Sequence, residues 1–579
     1  DYIDRYIVDR FKNINGVSDV QIYGERRYAM RIWVDRERLA AYELTVQDVE
    51  DALRAQNVEI PSGRIESVDR EFTVLSRTGL TSVDQFDQIV VKRANGAQVH
   101  MRDVARVELG AADERRASRF NGGAAIFIGV IKQAVANPLD VSAGARAILP
   151  AVNESLPEGM SATIGNDNAV FIERSIEAVF HTIFEAVLLV VLVIVVFLRS
   201  FRASIIPIVT IPISLVTTFA IMYALGFSVN TLTLLAFVLA IGLVVDDAIV
   251  VLENIFRHIE HGMKPIPAAI KGAREIGFAV IAMTLTLAAV YAPVAFAPGR
   301  TGRLFLEFAL TLAGAVIISG FVALTLTPMM CSRLLKHEEK PGRVSAFIEG
   351  RLRAMENGYR RLLGSTLKLR PLILLLALGV AGASAFFLTV LPSELSPVED
   401  RGVVRVTGSA PEGSTLAYTS RYTNQIDTIV SKEKEVDSVL IINGFPEVHR
   451  FLVIGRLKDW GERDVRQQEL VAKLTPELRR IAGINAYANN PPSLGASNSS
   501  RPIEFVLQTS GTYEQLDDYT TRFLERIRDY PGLVSIDSDL KLNKPEISVS
   551  VDRAKAADLG IDIAVLGRTL ESLLGGRQV

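Results

Sequence analysis

A single cysteine, Cys331, stands among 579 residues, which excludes an intrachain disulfide and a multi-cysteine metal site. Histidine is nearly as scarce: of six, His258 and His261 lie three apart with nothing nearby to complete a metal site. Net charge is almost absent. At −2, and without a basic cluster interleaved with aromatics, the chain offers no footprint for nucleic acid. It also lacks a nucleophile triad, a P-loop and a metal motif, so neither enzymatic chemistry nor a cofactor is expected. It begins DYIDRYIVDRF, without an initiator Met or signal peptide, and closes LLGGRQV in what reads as mid-domain. That is the pattern expected of an internal piece of a longer protein.

What the chain has in excess is apolar sequence. Hydrophobic residues make up 49% and charged residues still 22%, so the apolar ones must be unevenly distributed. Six segments reach the roughly 20 apolar residues that a membrane helix needs. They are 176–198, 203–225, 231–251, 276–296, 304–330 and 371–391. Glu185, inside the first, is expected to face the bundle rather than lipid. Glu307, in the fifth, lies within reach of the interface. Pro207 and Pro212 interrupt the second, which neighbouring helices tolerate.

Lys and Arg crowd the first, third and fifth loops, with Arg199 and Arg202, then Arg257, Lys264, Lys271 and Arg274, then ten more from Arg333 to Arg370. Those loops are therefore expected in the cytoplasm, and residues 1–170 and 392–579 on the opposite side, the periplasm of a Gram-negative cell. In the fifth loop, 344–363 alternates apolar and basic residues at helical spacing and reads as an amphipathic helix on the membrane surface, or else a solvated linker helix. The outer regions look mixed α/β. YAMRIWVD and PEISVSVD alternate as strands do, and TVQDVEDALRAQ and LDDYTTRFLERIRD have helical periodicity. They also repeat. Residues 34–53 resemble 551–570 at a constant offset of 517, with Val34, Asp35, Arg36, Ala40 and Leu53 recurring at Val551, Asp552, Arg553, Ala557 and Leu570. Each copy reads as strand, short helix and second helix, the second capped by Thr45 or Asp562. A tandem duplication would then place a second membrane block after residue 579.

Asp246 and Asp247 interrupt the third segment, in GLVVDDAIVVLEN. Asp at a helix centre costs about 2.5–3.5 kcal/mol on insertion scales, so two need a reason to be there. The pair is expected to face the bundle interior, where burial and mutual repulsion oppose ionisation of both. A carboxyl that loads a proton from one side and releases it to the other can draw about 2.3 kcal/mol per 100 mV from the membrane potential. A polar cluster that only fixes helix packing, or a cation site, would use the same residues. No segment supplies a Lys or Arg near its centre as counter-charge.

The stretch GFSVNTLTLLAFVLAIGLVVDDAIVVLENI closely resembles the fourth transmembrane helix of resistance-nodulation-division efflux permeases, in the branch that exports hydrophobic and amphiphilic compounds. FLRSFRASIIPIVTIPISL, LTPMMCSRLLK, LPSELSPVEDRGVV and LKDW fit the same family, so the resemblance covers essentially the whole chain. It implies an α+β membrane protein: six transmembrane helices, half of a duplicated twelve-helix bundle, flanked by periplasmic ferredoxin-like βαβ porter and docking subdomains. The implied N-terminal porter subdomain spans 1–30 and 108–167, with an N-terminal docking subdomain at 31–107. The six-helix block takes 168–392. C-terminal porter subdomain 1 follows at 393–498, then the start of porter subdomain 2 at 499–546 and of the C-terminal docking subdomain at 547–579.

In function the resemblance implies a drug/proton antiporter, energised by the proton gradient without a cofactor. It implies a homotrimer in the inner membrane, working with a periplasmic adaptor protein and an outer-membrane channel on hydrophobic or amphiphilic small molecules. Asp246 and Asp247 match its proton-translocating pair, whose Lys and Arg partners sit on later helices. Its substrate pocket maps to Tyr23, Arg31, Leu440, Phe445, Glu447 and Ile454. Leu440, Glu447 and Ile454 stand where phenylalanines are usual, so the aromatic trap is thinned. A superfamily relative that moves or senses lipids, sterol-like molecules or protein segments is the other class compatible with the helices.

The loop charges generate a topology test. A cysteine placed at Ala136 should react with a membrane-impermeant thiol reagent from outside the inner membrane, and one placed at Ser345 should be spared. Equal labelling of both from one side would overturn the assignment.

Overall fold

The structure, a computed structural model, describes residues 1–60, 62–94, 97–198, 201–335, 343–391, 396–492, 503–533 and 536–579. Arg199, Lys336, Lys340, the start of the LPSELSPVEDRGVV motif and the expected boundaries at 392/393 and 498/499 lie outside them. The described residues form two compact units. One draws on Asp1–Asn166, Asp400–Pro491 and Arg501–Val579, and the other on Asp167–Glu399.

The first unit begins with two antiparallel pairs. Strand β1 (Val17–Tyr23) runs against a later strand, and β2 (Tyr28–Val34) is followed by helices α1 (Arg36–Ala41) and α2 (Val46–Gln56). Strand β3 (Ala105–Ala111) returns to pair with β2, Arg31 opposite Glu108, over a core of Leu39, Val49, Phe86, Met101 and Val104. Next come β4 (Ala117–Phe120), β5 (Gly123–Ala124) and β6 (Phe127–Lys132), the partner of β1. Helix α3 (Pro138–Ser155) covers that pair with Val141 and Val152 against Ile7, Phe11, Val17 and Val20.

The second unit holds six helices long and apolar enough to cross a membrane. They are α4 (Ala169–Leu198), α5 (Phe201–Leu225), α6 (Thr231–Glu260), α7 (Pro265–Ala295), α8 (Gly299–Leu334) and, after α9 (Arg343–Lys368), α10 (Arg370–Val390). Several run past the apolar segments read from sequence, because helical hydrogen bonds continue through the flanking polar residues. The seam between α6 and α8 is made of small residues. Ala315, Ser319 and Ala323, four apart along α8, are each at most 2% exposed; Ala315 packs with Ala236, Ala240 and Val244 of α6, and Ala323 shares a cluster with Val251, Leu252 and Ile255. Lipid gives helices no hydrophobic drive to associate, so such close backbone approach supplies the packing. Gly272 and Gly320 serve the same end: a Cβ would sit 2.8 Å from Ile255 Cγ1 at Gly272 and 2.3 Å from Thr284 Oγ1 at Gly320.

One expectation needs correction here. Glu185 does not face a bundle interior: its side chain is 61% exposed beside His181, whose Nδ1 lies 3.3 Å away. The buried side of α4 is taken by Val187, Val190 and Ile194 packing toward Ile211 and Val245, and Glu185 lies off that stripe. Pro207 and Pro212 lie inside α5, which runs on through both, as expected of prolines that neighbouring helices tolerate. In α9 the described apolar residues Met355, Tyr359 and Leu362 share one face at helical spacing and are exposed.

The chain then re-enters the first unit through β7 (Val403–Ser409), α11 (Leu416–Ser431), β8 (Val436–Asn443), β9 (Arg450–Leu457), α12 (Gln467–Arg479) and β10 (Asn485–Asn489). The sheet order is β10-β7-β9-β8-β4-β5, all antiparallel, so an N-terminal hairpin extends a C-terminal sheet. Alternate residues of β7, β8 and β9 (Val404, Val406, Val439, Ile441, Phe451, Val453) pack under α11 and α12 with Ile426, Leu474 and Leu478.

Last come α13 (Arg553–Asp558) and α14 (Ile563–Leu570), the second copy of the sequence repeat. The copies agree through the first helix and the turn after it. Asp35 accepts from the amides of Glu37 and Arg38, and Asp552 from those of Ala554 and Lys555. Leu44 N donates to Leu39 O, and Ile561 N to Ala556 O. Both turns require a left-handed residue at the same place, Glu43 at φ 50° and Gly560 at φ 67°. The copies also meet. Arg577 pairs with Glu50 at 3.4 Å, and Arg568 donates to Gln47 Oε1 at 3.3 Å. PEISVSVD, by contrast, forms no strand: 545–551 alternates correctly but has no hydrogen-bonded neighbour among the described residues. Alternation selects faces, whereas a strand also needs a partner.

Two motifs far apart in sequence are tied by one carboxylate. Asp400 accepts from Arg463 NH1 at 2.9 Å and NH2 at 2.7 Å and from the amides of Gln467 and Gly402, and its own carbonyl takes the Trp460 indole N–H. Burial opposes its charge, but the guanidinium and the two amides outweigh burial and hold the carboxyl below its ordinary value. The folded value is thus below the unfolded one. The stabilisation is complete above the ordinary aspartate range near about pH 4 and is lost as pH falls through the lowered value. Asp400→Asn should therefore melt below wild type at neutral pH, with the gap closing in acid. Thermal unfolding of both proteins across that range checks this, and a gap that stayed constant with pH would contradict it.

Candidate functional site

In the membrane unit the two aspartates part company. Asp247 is 4% exposed, and its Oδ2 accepts from Ser319 Oγ at 2.9 Å. The same hydroxyl lies 3.1 Å from Val244 O, so α8 reaches the α6 backbone and its carboxyl together. Asp246 is exposed, which corrects the expectation that both point inward. Neighbouring helix positions differ by about 100°, so a narrow seam can cover only one of them. Among the described residues no Lys or Arg lies within ion-pair distance of either carboxyl. Ser319 was not anticipated. Its signal was the four-residue spacing of small residues along α8.

Lower on α6, Asn254 and His258 bind α7. Asn254 Nδ2 donates to Gly272 O at 3.0 Å, and His258 Nε2 lies 2.7 Å from Glu275 Oε2. At its start the helix is capped by Asn230, whose Nδ2 also donates to Glu307 Oε2 at 2.6 Å. Polar contacts at both ends thus fix the rotation of α6, and with it the direction of Asp247.

In the first unit, four of the six pocket residues inferred from the sequence belong to one connected patch. Tyr23 ends β1 opposite Phe127. Its ring meets Phe445 edge to face, centroids 5.1 Å apart, and the Arg116 guanidinium lies 6.0 Å over Phe445. Leu440, 6% exposed, stands between Phe120 and Ile454 in register. Phe120 in turn meets Phe127 at 6.4 Å. A Cβ on Gly165 would touch Leu440, Phe127 and Phe120 at 3.2, 3.5 and 3.8 Å, so the segment around it closes over this patch.

The other two residues go elsewhere. Arg31, on β2, sits over Trp33 at 5.2 Å and pairs with Glu114 at 3.5 Å. Glu447 lies on an exposed turn, 2.7 Å from Arg450. Phe120 and Phe127 were missed, although a signal was available. Phe120 immediately precedes Asn121-Gly122, a two-residue hairpin turn with both φ positive, whose Asn121 also exchanges hydrogen bonds with Val439 of β8, and Phe127 opens the strand that follows the hairpin.

Compared with known proteins, residues 1–579 match the family model described as the AcrB/AcrD/AcrF family. The chain is 38% identical, over all 579 of its residues, to an uncharacterized transporter of Haemophilus influenzae. It spans 56% of that relative's length.

Gly444 is the hinge on which the Phe445 position rests. Its φ is +80° and a Cβ there would lie 2.1 Å from Arg115 O, whereas Gly461 has nothing within 4 Å and no such angle. Gly444→Ala should cost more than about 1 kcal/mol, and Gly461→Ala should be near neutral. Thermal unfolding of the two purified variants compares them directly.

Proposed function

Because the chain belongs to the AcrB/AcrD/AcrF family, transporters of the resistance-nodulation-division type, we propose that it works as a proton-driven efflux permease for hydrophobic or amphiphilic small molecules. It is a multi-pass membrane protein, and we place it in the inner membrane of a Gram-negative cell. There it would act as a homotrimer, with a periplasmic adaptor and an outer-membrane channel. The sheet built from β7, β8, β9 and β10 with α11 and α12 is read as a ferredoxin-like porter subdomain. The two copies of the repeat are read as docking subdomains. The mixed α/β content of the sequence before and after the helices supports both readings.

The observation that carries the proposal is Asp247: a carboxyl inside an apolar helix, almost wholly buried, held by one hydroxyl and facing no cation among the described residues. A permanently charged group there would be costly, whereas a group that gains and loses a proton during a cycle couples the gradient to movement. Ser319 gives the carboxylate one stabilising donor and can turn its hydroxyl to Val244 O when Asp247 is protonated. Asp246, on the open face of the same turn, is the second member of the proposed pair. On the substrate side the proposed pocket is the patch of Tyr23, Phe445, Leu440 and Ile454, extended by Phe120 and Phe127. Arg31 and Glu447, held by other partners, are left at its margin.

The test is export by the full-length protein in proteoliposomes with an imposed pH gradient. Asn is nearly isosteric with Asp but cannot carry the proton, so Asp247→Asn and Asp246→Asn should each abolish coupled export while the protein still folds. Asp247→Glu keeps the chemistry but moves the carboxyl by one methylene, and should retain partial activity. Full export by both Asn variants would reduce the pair to a packing cluster.

A further inference from the structure

The sheet face turned away from α11 and α12 carries one row of side chains across five strands. Phe120, Leu440, Ile454, Arg405 and Asn489 are each the direct register partner of the next. Direct partners point to the same side, and the flanking Val404 and Val406 are buried under the helices, so Arg405 must project onto the opposite face. Three strand spacings of about 4.8 Å put it roughly 14 Å from Phe120 along the row.

Arg405 is the anomaly of this row. Its Nε is buried without a hydrogen-bond partner, and no ion pair reaches it among the described residues. The positions around it in the sheet hold Ile454, Leu452, Arg456, Asn489 and Tyr487, none of them acidic. The other arginines of this face are engaged: Arg456 with Asp437 and Ile164 O, Arg450 with Glu447. Asn489 turns its amide to Thr407 Oγ1 at 3.0 Å. Burial alone pulls the Arg405 guanidinium below its ordinary value, yet an arginine stays charged in proteins. A part-buried cation without a counter-ion is an expensive feature to keep in a sheet that could hold a leucine there.

We propose that Arg405 is the specificity-determining end of the substrate face: it binds the acidic headgroup of an anionic amphiphile, a carboxylate or sulfonate, whose apolar body lies against Ile454 and runs toward Phe120, beside the covered Leu440. The proposal rests on the efflux reading and narrows its substrate class. The guanidinium supplies a planar fork of donors that matches a carboxylate. The row supplies the apolar length beside it, which an amphiphile can cover and a small hydrophilic anion cannot.

The experiment uses the full-length transporter and two fluorescent probes of one shape, dansylaminoundecanoic acid and its carboxamide. Both are measured by equilibrium binding to purified protein and by export from proteoliposomes. Wild type should favour the acid. Arg405→Gln should weaken the acid by about ten- to a hundredfold and leave the amide within about twofold, with Arg405→Lys in between. An equal loss of both probes would make Arg405 a structural residue, neutralised by a carboxylate of another segment or protomer, and overturns the proposal. So does an unchanged acid affinity. If wild type exports the amide but does not bind the acid, the efflux reading stands and this inference falls. If wild type exports neither probe under a pH gradient, both fall.

Discussion

The seam between α6 and α8 is the contact on which the membrane unit depends. In lipid, two apolar helices gain little from hiding hydrophobic surface, so their association rests on how closely the backbones can approach. Ala236, Ala240 and Val244 on one side and Ala315, Ser319 and Ala323 on the other allow that approach. The distance it sets is short enough for a serine, the smallest hydroxyl, to reach the carboxyl of Asp247. A leucine at 315 or 319 would separate the helices and leave the carboxyl among hydrocarbon without a donor. The composition of the seam and the chemistry of Asp247 are thus one requirement seen twice.

In the first unit the corresponding constraint is the pairing of β4 with β8, which makes a single sheet out of residues more than three hundred positions apart. The Asn121-Gly122 turn fixes where β4 ends, and Asn121 then bonds β8 directly. Once that pairing exists, Phe120 must lie beside Leu440, and Phe127 and Tyr23 are carried to the same side. Gly24 and Gly444 clear the space, since a Cβ at either would lie within 2.5 Å of Ser118 or Arg115 atoms. The Asp400–Arg463 bond stabilises the other edge of the same fold by holding the chain at its entry into β7.

Family membership and this geometry explain each other in part. The motifs that carried the resemblance are mostly structural fasteners: VEDRGVV and LKDW meet through Asp400, Arg463 and Trp460, and VLEN supplies the Asn254 that locks α6 to α7. The residues that distinguish this chain lie between the fasteners. Leu440, Ile454 and Arg405 share one row, so a thinned aromatic lining and a cation without an ion pair among the described residues belong to the same surface.

Membrane helices, their approximate ends, the strand-and-helix repeat and the presence of two intramembrane carboxylates were all legible in the residues, because each is a local property. Length and hydropathy define a span, a capping side chain defines a helix start, and a constant offset defines a repeat. The repeat is legible down to the left-handed turn residue, since the turn is closed by hydrogen bonds within six residues. What the residues could not decide was direction and partnership. Asp246 and Asp247 are chemically identical, and only the position of α8 makes one buried and the other open. Glu185 was exposed by the same kind of geometry, PEISVSVD failed to pair for want of a neighbour, and Arg31 was drawn to Trp33 and Glu114 instead of to the aromatic patch. Burial and pairing are set by what arrives from elsewhere in the chain, and no window of sequence contains that information.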